Sequence, residues 1–379
     1  MIELEEYSSG HYEKGLGYEF FVPNSINAEW SWKTSKINKL LEAAAVKLGE
    51  LNSFSRLVPN IDLFIQLHVT KEAVVSSRIE GTQTSINEAL LPVEEVIPER
   101  RNDWQEVNNY INALNKAISD LQKLPVSSRL LKKTHKLLLE SVRGEHKLPG
   151  EYRSSQNWIG GSSLADAVFV PPQHQLVDSL MGDLENFLNN ERIDVPALIR
   201  IAIAHYQFET IHPFLDGNGR IGRLMITLFL VNERILSKPL LYLSQFFEIN
   251  KGLYYDNLMR VRTHNDMLQW IKFFLVGVEQ TATKAVDTLT KIITLKETME
   301  TEISQTFGRR SNSAQILLNS LFQNPVTTID RASKTCELSY KAANDLVRLM
   351  QKKEFLRELT GKRRNRIFIL DPYLKAFEN

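Results

Sequence analysis

Residues Ile211 to Leu224 read "IHPFLDGNGRIGRL", which combines a histidine, an acid, two glycines around an asparagine, and two arginines. Gly217 and Gly219 precede an apolar helical segment, and flanking glycines permit the positive φ angles that turn successive N–H groups toward one point. This pattern predicts an anion-binding nest at a helix N-terminus, where the helix dipole adds to the attraction. Arg220 and Arg223 follow three residues apart, so both can share one face of the first turn. Together these groups suit a polyphosphate.

Two further side chains of this stretch suit chemistry at a phosphate. Asp216 is placed to hold a divalent cation, because Mg²⁺ at a nucleotide normally takes one or two protein carboxylates plus phosphate oxygens. Pro213 disfavours helix at His212, so we expect this histidine to lie where a helix ends, with its imidazole facing the phosphate. With a pKa near neutrality it can take a proton from an attacking hydroxyl. The lysine and the spacing of a Walker loop are absent.

The bulk composition limits the possible classes of protein. A chain of 379 residues predicts two or three domains. Lysine plus arginine (46) nearly balances aspartate plus glutamate (45), which gives no overall field toward nucleic acid or an acidic membrane. The single cysteine, Cys336, fits a reducing compartment. Because the N-terminus lacks a signal-peptide pattern and the apolar runs are too short to span a bilayer, we expect a cytoplasmic protein without membrane contact.

Most of the chain shows the apolar spacing of helices, so a mainly α fold is predicted. "TKEAVVSSRIEGTQTS" predicts a short helix over about residues 70–81, capped by Thr70 and ended by Gly81. "RLMITLFLVNERIL" is apolar on nearly every side and predicts a central helix. "LPGEYRSSQNWIGGSSLADAVFVPP" breaks the helical pattern and predicts a small hairpin or extended flap. Beyond the polar "TFGRRSNS", the order of helices followed by a hairpin with a basic turn resembles a winged helix-turn-helix.

The stretch from His212 to Arg223, "HPFLDGNGRIGR", resembles the Fic signature, histidine-x-phenylalanine-x-acid-glycine-asparagine-glycine-arginine-x-x-arginine, at every fixed position. In Fic proteins this loop transfers a nucleotide monophosphate, usually AMP from ATP, to a hydroxyl side chain of a target protein. The resemblance implies that His212 is the general base, Asp216 the Mg²⁺ ligand and Arg223 a phosphate ligand. The implied ATP-binding residues of the loop are His212, Pro213, Phe214, Leu215, Asp216, Gly217, Asn218, Gly219, Arg220 and Arg223.

The predicted flap strengthens the resemblance. It is similar to the Fic flap, an edge that pairs with an extended segment of the target protein and lines the nucleotide site. Implied flap contacts to ATP are Asn157, Trp158, Ile159 and Gly160, and further candidates for the adenine or ribose pocket are Gln207, Tyr254 and Tyr255. For the last three residues, packing in the core is the alternative. An unidentified protein target is thus expected to dock on the flap.

A second motif lies upstream of the signature. Glu80 would close a helix just before Gly81, where a carboxylate meets the negative end of the helix dipole and needs a cation. Ser76-x-x-x-Glu80-Gly81 resembles the Fic inhibitory motif, in which the glutamate pairs with the second arginine of the signature, here Arg223. The resemblance implies inhibition in cis, since motif and signature share one chain, and an enzyme that also modifies itself slowly.

The predicted domains are an N-terminal helical region (1–102) with the inhibitory helix, a Fic catalytic core with following helices (103–305), and a winged-helix-like domain (306–379). Two alternatives stay open. Some Fic-like proteins transfer UMP, a phosphoryl group or phosphocholine, or remove AMP; Gly219 argues against the Doc-type kinases. The second alternative is a DNA-binding regulator that acts through the C-terminal domain, because basic residues outnumber acidic ones from Lys341 to Arg366 and a basic wing suits contact with DNA; contact with another protein is the other interpretation of this wing.

Overall fold

A computed structural model describes residues 1–57, 61–142 and 144–378, and the fold within these ranges is mainly α-helical. The helices are α1 (Ser35–Leu57), α2 (Asp62–Ile79), α3 (Ile86–Ala89), α4 (Arg101–Asp120), α5 (Ser128–Leu138), α6 (Val177–Asn189), α7 (Ala197–Ile211), α8 (Asn218–Asn232), α9 (Ser244–Ile249), α10 (Lys251–His264), α11 (Met267–Thr306), α12 (Ser311–Gln323), α13 (Ile329–Thr335), α14 (Tyr340–Lys352) and α15 (Asp371–Glu378). The strands are β1 (Ile2–Glu3), β2 (Gly10–Lys14), β3 (Glu19–Pro23), β4 (Trp30–Ser31), β5 (Val326–Thr328), β6 (Leu356–Glu358) and β7 (Ile367–Leu370). The predicted mainly α fold is confirmed.

The first 34 residues contain no α-helix and form short strands, loops and a 3-10 turn at Leu4–Glu6, so the prediction of a helical N-terminal region does not hold for this part. β1 pairs with β4 in parallel, and β2 and β3 form an antiparallel hairpin in which Lys14 lies opposite Glu19. Gly17, at φ 81°, lies in the connecting loop and supplies a backbone conformation that other residues rarely adopt. The hairpin packs Phe20 and Phe21 inward, both almost fully buried. Buried aromatic rings therefore hold this segment as a ribbon against the helices.

Two consecutive helices, α7 and α8, form the centre of the molecule. Nearly every side chain of both is buried, which confirms the prediction of a central helix after the signature. α11 packs beside α7, where the Trp270 indole donates a hydrogen bond of 2.8 Å to the backbone oxygen of Ala202. The apolar walls of these helices thus fix the loop between them, residues 212–217, at one end of the core.

The helix that carries the inhibitory motif is longer than predicted. α2 begins at Asp62, so the proposed cap at Thr70 is wrong: its hydroxyl instead donates to the backbone oxygen of Gln66 within the helix. Apolar residues before Thr70 continue the buried side of the same helix, which explains the earlier start. The predicted end is confirmed, since α2 stops at Ile79 and Gly81 follows at φ 105°.

The C-terminal unit contains α12 to α15 and a three-stranded antiparallel sheet of order β5-β7-β6. The predicted order of helices and hairpin is present, and β5 and α15 add elements that the sequence did not indicate. α12 packs against α2, and α15 packs against α11. The assignment of this unit to the winged-helix class stays a prediction, as do the domain limits, although α4 starts at Arg101 and α11 ends at Thr306.

No helix among the described residues combines the length and the apolar character that a membrane span requires.

α2 carries a buried carboxyl group that couples folding to pH. Glu72 accepts hydrogen bonds from the hydroxyls of Tyr110 (3.0 Å) and Ser244 (2.5 Å). Burial raises the pKa of Glu72 to about 7, against the opposing effect of these two donors. The folded state therefore keeps this proton at pH values where the unfolded chain has lost it, and stability decreases as pH rises from about 4.5 to about 7.

We expect Glu72→Gln to reduce this pH dependence, because an amide does not ionise. Between about pH 5 and about pH 8 the free energy of unfolding of the wild type should decrease by ~3 kcal/mol more than that of the variant. Urea denaturation followed by circular dichroism at both pH values measures the difference. Glu42→Gln, an exposed position on α1, is the matched control and should behave as the wild type. An equal decrease in wild type and Glu72→Gln would contradict the burial of a protonated Glu72.

Candidate active site

The loop between α7 and α8 turns sharply at its first residue. His212 follows the last residue of α7 in the left-handed region, at φ 50° and ψ 60°, and Pro213 comes next. The prediction that His212 lies where a helix ends is therefore confirmed. A non-glycine residue in this conformation persists only when its surroundings hold it.

The imidazole of His212 is neutral. Its burial, with the nearby charge of Arg262, lowers the pKa of His212 to about 3, so the expectation of a pKa near neutrality is wrong. Its Nδ1 atom is buried, a hydrogen bond between the ring and the backbone of Glu209 partly opposes this shift, and the residue as a whole is partly exposed. A neutral imidazole can still accept a proton from an incoming hydroxyl.

Arg153 and Arg262 hold the backbone at the C-terminal end of α7, up to and including His212. The Arg153 guanidinium donates to the backbone oxygens of Ile211 (3.3 Å) and His212 (3.0 Å). Arg262 donates to the backbone oxygen of Glu209 at 3.2 Å, and its guanidinium lies 3.7 Å from the centre of the Phe169 ring. Cations at the C-terminal end of α7 satisfy its last carbonyl groups and complement the helix dipole. Sequence reasoning missed both arginines.

Asn218 closes the loop on itself. Its side chain accepts a hydrogen bond from the backbone nitrogen of Phe214 (2.8 Å) and donates one to the backbone oxygen of the same residue (2.8 Å). Asn157, from the flap, donates to that oxygen as well, at 2.9 Å. The asparagine of the signature and one predicted flap residue thus both act on the backbone at Phe214, which itself is fully buried.

His135, from α5, contacts the loop through ring stacking and a hydrogen bond. Its ring stacks on Phe214, with 3.8 Å between ring centres and 11° between planes. Nδ1 accepts a hydrogen bond from the backbone nitrogen of Gly150 at 2.9 Å, so Nε2 carries the proton and donates to the backbone oxygen of Asp216 at 3.0 Å. Burial lowers the pKa of His135 to about 4, which keeps the ring neutral. Sequence reasoning missed this residue.

The anion nest at the start of α8 differs from the prediction in one respect. Gly217 has φ 74° and precedes the first helical residue, as expected, but Gly219 lies inside the helix and is not among the residues with positive φ. Gly219 instead provides space: a Cβ atom there would lie 2.3 Å from Oε1 of Glu80 and 2.8 Å from Nη1 of Arg223. The second glycine therefore allows these two side chains to meet over the start of the helix.

Glu80, Ser76 and Arg223 form a cluster that we call the latch. Arg223 donates to Oγ of Ser76 (2.9 Å), to the backbone oxygen of Ser76 (2.9 Å) and to Oε1 of Glu80 (2.7 Å). The Arg223 side chain is 2% exposed and that of Glu80 35%. Burial alone would raise the pKa of Glu80, but the charge and hydrogen bond of Arg223 bring it below its ordinary value. The predicted contact between Glu80 and Arg223 is confirmed.

The two signature arginines point to different helices. Arg220, which is buried, pairs with Glu106 of α4 at 3.1 Å and with Asp216 at 3.4 Å, whereas Arg223 reaches α2. Both arginines lie at i and i+3 near the start of α8, and each pairs with a carboxylate of a different helix. The Asp216 carboxylate is 43% exposed at the loop, and the described residues assemble no group of three or more potential metal ligands around it. One accessible carboxylate fits Mg²⁺ only together with phosphate oxygens.

Comparison with known proteins matches two segments of the chain to one family. Residues 38–119 match the Fic/DOC family N-terminal region, and residues 125–230, which contain the loop and the nest, match the Fic/DOC family. The chain therefore carries a Fic domain. The latch joins the two matched regions, because Glu80 lies in the first and Arg223 in the second.

Several curated relatives resemble this Fic protein over part of their length. A probable protein adenylyltransferase from Aquifex aeolicus is 29% identical over 178 residues, which are 47% of this chain and 52% of the relative. Protein adenylyltransferase Fic from Drosophila grimshawi is 29% identical over 176 residues, 45% of this chain and 32% of the relative. The chain thus spans about half of the Aquifex protein and a third of the Drosophila protein.

Solved structures show the same fold. A Fic family protein from Desulfovibrio desulfuricans G20 has a TM-score of 0.55 and 20% identity, covering 89% of this chain and 96% of that one. Fic-1 from C. elegans has a TM-score of 0.52 and 20% identity, covering 67% of this chain and 73% of that one.

The Fic flap contains less β-structure than predicted. Its hairpin is reduced to one antiparallel bridge between Ile159 and Phe169, since the intervening glycines and serines form turns. Gly160 has φ 68°, and Trp158 is 41% exposed beside it. The backbone oxygen of Val170 accepts a hydrogen bond from Phe21 of β3, so the N-terminal hairpin covers part of the flap edge.

The structure separates the three candidates for the adenine or ribose pocket. Gln207 is fully buried and donates to the backbone oxygen of Asn24 at 3.0 Å, and Tyr254 is 1% exposed with its hydroxyl 2.9 Å from Nε2 of His205. Gln207 and Tyr254 therefore pack in the core, which was the alternative to a role in the nucleotide pocket. Tyr255 is 41% exposed and stays a candidate.

The basic turn of the C-terminal unit is exposed, but two of its four basic residues make internal contacts. Lys362 pairs with Glu95, and Arg366 pairs with Glu358 at 3.7 Å. DNA or protein contact through this turn stays a prediction.

We expect Asn218→Ala to loosen the loop, because both buried hydrogen bonds to Phe214 are lost. The free energy of unfolding, measured by urea denaturation, should decrease by about 2–3 kcal/mol. Asn232→Ala is the matched control at the other end of α8, where the amide makes one exposed contact to Glu233, and should change stability by no more than about 0.5 kcal/mol. Equal effects of the two substitutions would show that Asn218 does not brace the loop.

Proposed function

We propose that this Fic protein is a protein adenylyltransferase that transfers AMP from ATP to a hydroxyl side chain (Ser, Thr or Tyr) of a target protein and of itself, and that Glu80 inhibits it in cis. The main support for the proposal is the latch, in which the carboxylate of Glu80 accepts a hydrogen bond from the guanidinium of Arg223 near the start of α8. The relatives named protein adenylyltransferase support the activity. The signature supplies a group for each step of such a transfer.

His212 acts as the general base. Its imidazole is neutral at physiological pH, because burial lowers its pKa to about 3, and the residue as a whole is partly exposed at the loop. It takes the proton from the target hydroxyl as the hydroxyl oxygen attacks the α-phosphorus of ATP. The bond from that phosphorus to the β-phosphate bridging oxygen breaks, and pyrophosphate leaves. A low pKa makes His212 a weak base, which suits a reaction whose catalysis depends mainly on positioning.

The start of α8 binds the phosphates. The first backbone N–H groups of α8, after Gly217, have no hydrogen-bond acceptor within the helix. They lie at the positive end of the helix dipole, which favours binding of an anion there. Arg223 adds a full charge at the same place. The carboxylate of Asp216, which is 43% exposed, would hold a Mg²⁺ ion, and that ion would neutralise part of the phosphate charge. Trp158 and Tyr255, both half-exposed, are the side chains best able to meet the nucleotide base.

The latch explains the proposed inhibition. Arg223 already donates to Ser76 and Glu80, so a phosphate oxygen at its guanidinium competes with the Glu80 carboxylate. Like charges within a few ångströms repel strongly in a partly buried site. ATP therefore binds with its terminal phosphate displaced until Glu80 moves. The flap, through the accessible part of its edge near Ile159, pairs with an extended segment of the target.

We expect Glu80→Gly to increase AMP transfer by at least about tenfold, because loss of one charge-assisted hydrogen bond is worth about 1.5–3 kcal/mol. Glu80→Gln, which keeps the shape and removes the charge, should give an intermediate increase. His212→Ala in the Glu80→Gly background should abolish transfer. Intact-mass measurement after incubation with ATP and Mg²⁺ counts the adenylyl groups added to the protein itself.

Glu94→Gly is the matched control, since this exposed carboxylate lies on the same N-terminal region away from Arg223. It should leave transfer at the wild-type rate. No gain with Glu80→Gly would refute the inhibition while leaving transfer itself to be judged from His212→Ala. Incubation of Glu80→Gly with each nucleoside triphosphate identifies the transferred group by its mass, and a mass other than that of AMP would favour the alternative of another Fic-like transferase.

A further inference from the structure

A cavity of about 130 Å³ lies beside α2, next to the latch but separate from it. α2 contributes His68, Lys71 and Glu72, and α11 contributes its residues between Gln280 and Thr288. Glu72 precedes Glu80 by eight residues, which places the cavity about 12 Å along the helix from the latch. The proposed base and the nest do not line it.

Two lysines give this cavity a positive charge. Lys71 from α2 and Lys284 from α11 both line it, and no carboxylate within the described ranges forms an ion pair with either one. Lys71 donates to the backbone oxygen of Phe377 at 2.6 Å. Burial, followed by the charge of Lys284, lowers the pKa of Lys71 to about 8. An anion between the two ammonium groups would remove their mutual repulsion.

The carboxyl group that lines the cavity does not neutralise these lysines fully. Glu72 accepts hydrogen bonds from Tyr110 and Ser244, and burial raises its pKa to about 7. It is therefore partly protonated at neutral pH. The cavity retains a net positive charge, which favours an anionic ligand.

Two buried polar atoms in the cavity lining have no hydrogen-bond partner among the residues that the structure describes. They are the hydroxyl of Tyr242, a residue that is 8% exposed, and Nε2 of His68. Burial lowers the pKa of His68 to about 3, so its ring is neutral and one nitrogen can donate. A buried donor without an acceptor is costly, and such atoms in native proteins usually serve a purpose. Both atoms can donate to an oxygen of a bound ligand.

The remaining walls are apolar, formed mainly by Val75, Leu240, Phe246 and Ile249. The volume is comparable to the ~150 Å³ of an engineered cavity that binds benzene. The cavity thus has space for an apolar group of about the size of benzene. Hydrogen-bond donors and the two lysine ammonium groups line another part of it.

We propose that this cavity binds a small organic carboxylate, with the carboxylate group at Lys71 and Lys284 and the apolar part against Val75 and Phe246. The site does not depend on the proposed transferase activity, because it shares no side chain with the loop or the latch.

The test uses the full chain with benzoate as the probe and benzamide as its uncharged analogue. Benzoate at millimolar concentration should raise the melting temperature and show saturation-transfer NMR signals, while benzamide should do neither. Lys284→Met should weaken benzoate binding by at least about tenfold, since it removes a charge-assisted contact. Lys291→Met, an exposed lysine two turns further along α11, should bind benzoate as the wild type does.

Lys71→Met should weaken binding similarly, and each variant is compared with its own ligand-free melting temperature, so that a loss of stability does not mask the result. If Lys71→Met does not fold, Lys284→Met decides alone. Equal responses to benzoate and benzamide, or equal benzoate affinity in Lys284→Met and Lys291→Met, would overturn the proposal.

Discussion

The buried guanidinium of Arg223 is the constraint on which the arrangement of this site depends. A charge with 2% exposure requires a counter-charge and full hydrogen bonding, and α2 supplies both through Glu80 and Ser76. This demand sets the position of α2 against α8. It also explains Gly219, because any larger residue would collide with Glu80 and Arg223. Under the proposed function the same guanidinium would also bind nucleotide phosphates, so the contact with Glu80 and the binding of a substrate would compete for one group.

The loop between α7 and α8 is held mainly through its backbone. Arg153, Arg262, Asn157 and Asn218 all bond to backbone atoms between Glu209 and Phe214, and His135 bonds to the backbone of Asp216. These contacts fix His212 in a left-handed conformation without using its imidazole. The ring therefore stays available, and the strain at its φ angle is offset by neighbours that pack rigidly around it. Positioning chemistry of this kind needs a stiff loop more than it needs a strong base.

The sequence predicted the parts of the site that a local pattern encodes. Pro213 indicated the end of α7 at His212, and the two motifs indicated a contact between Glu80 and Arg223, which lie 143 residues apart. It did not indicate Arg153 or His135, because their partners are backbone atoms that no side-chain pattern specifies. It placed the start of α2 too late because the apolar residues before Thr70 were not assigned to the same helix. The partner of Arg220 was missed since Glu106 belongs to no motif.

A double-mutant cycle between Glu80 and Arg223 tests the latch most directly. Urea denaturation of the wild type, Glu80→Gln, Arg223→Met and the double variant at neutral pH gives the coupling free energy between the two side chains. We expect a coupling of about 1.5–3 kcal/mol, because the pair is a charge-assisted hydrogen bond and the Arg223 side chain is buried. Additive effects within about 0.5 kcal/mol would contradict it, since the two side chains would then stabilise the fold independently.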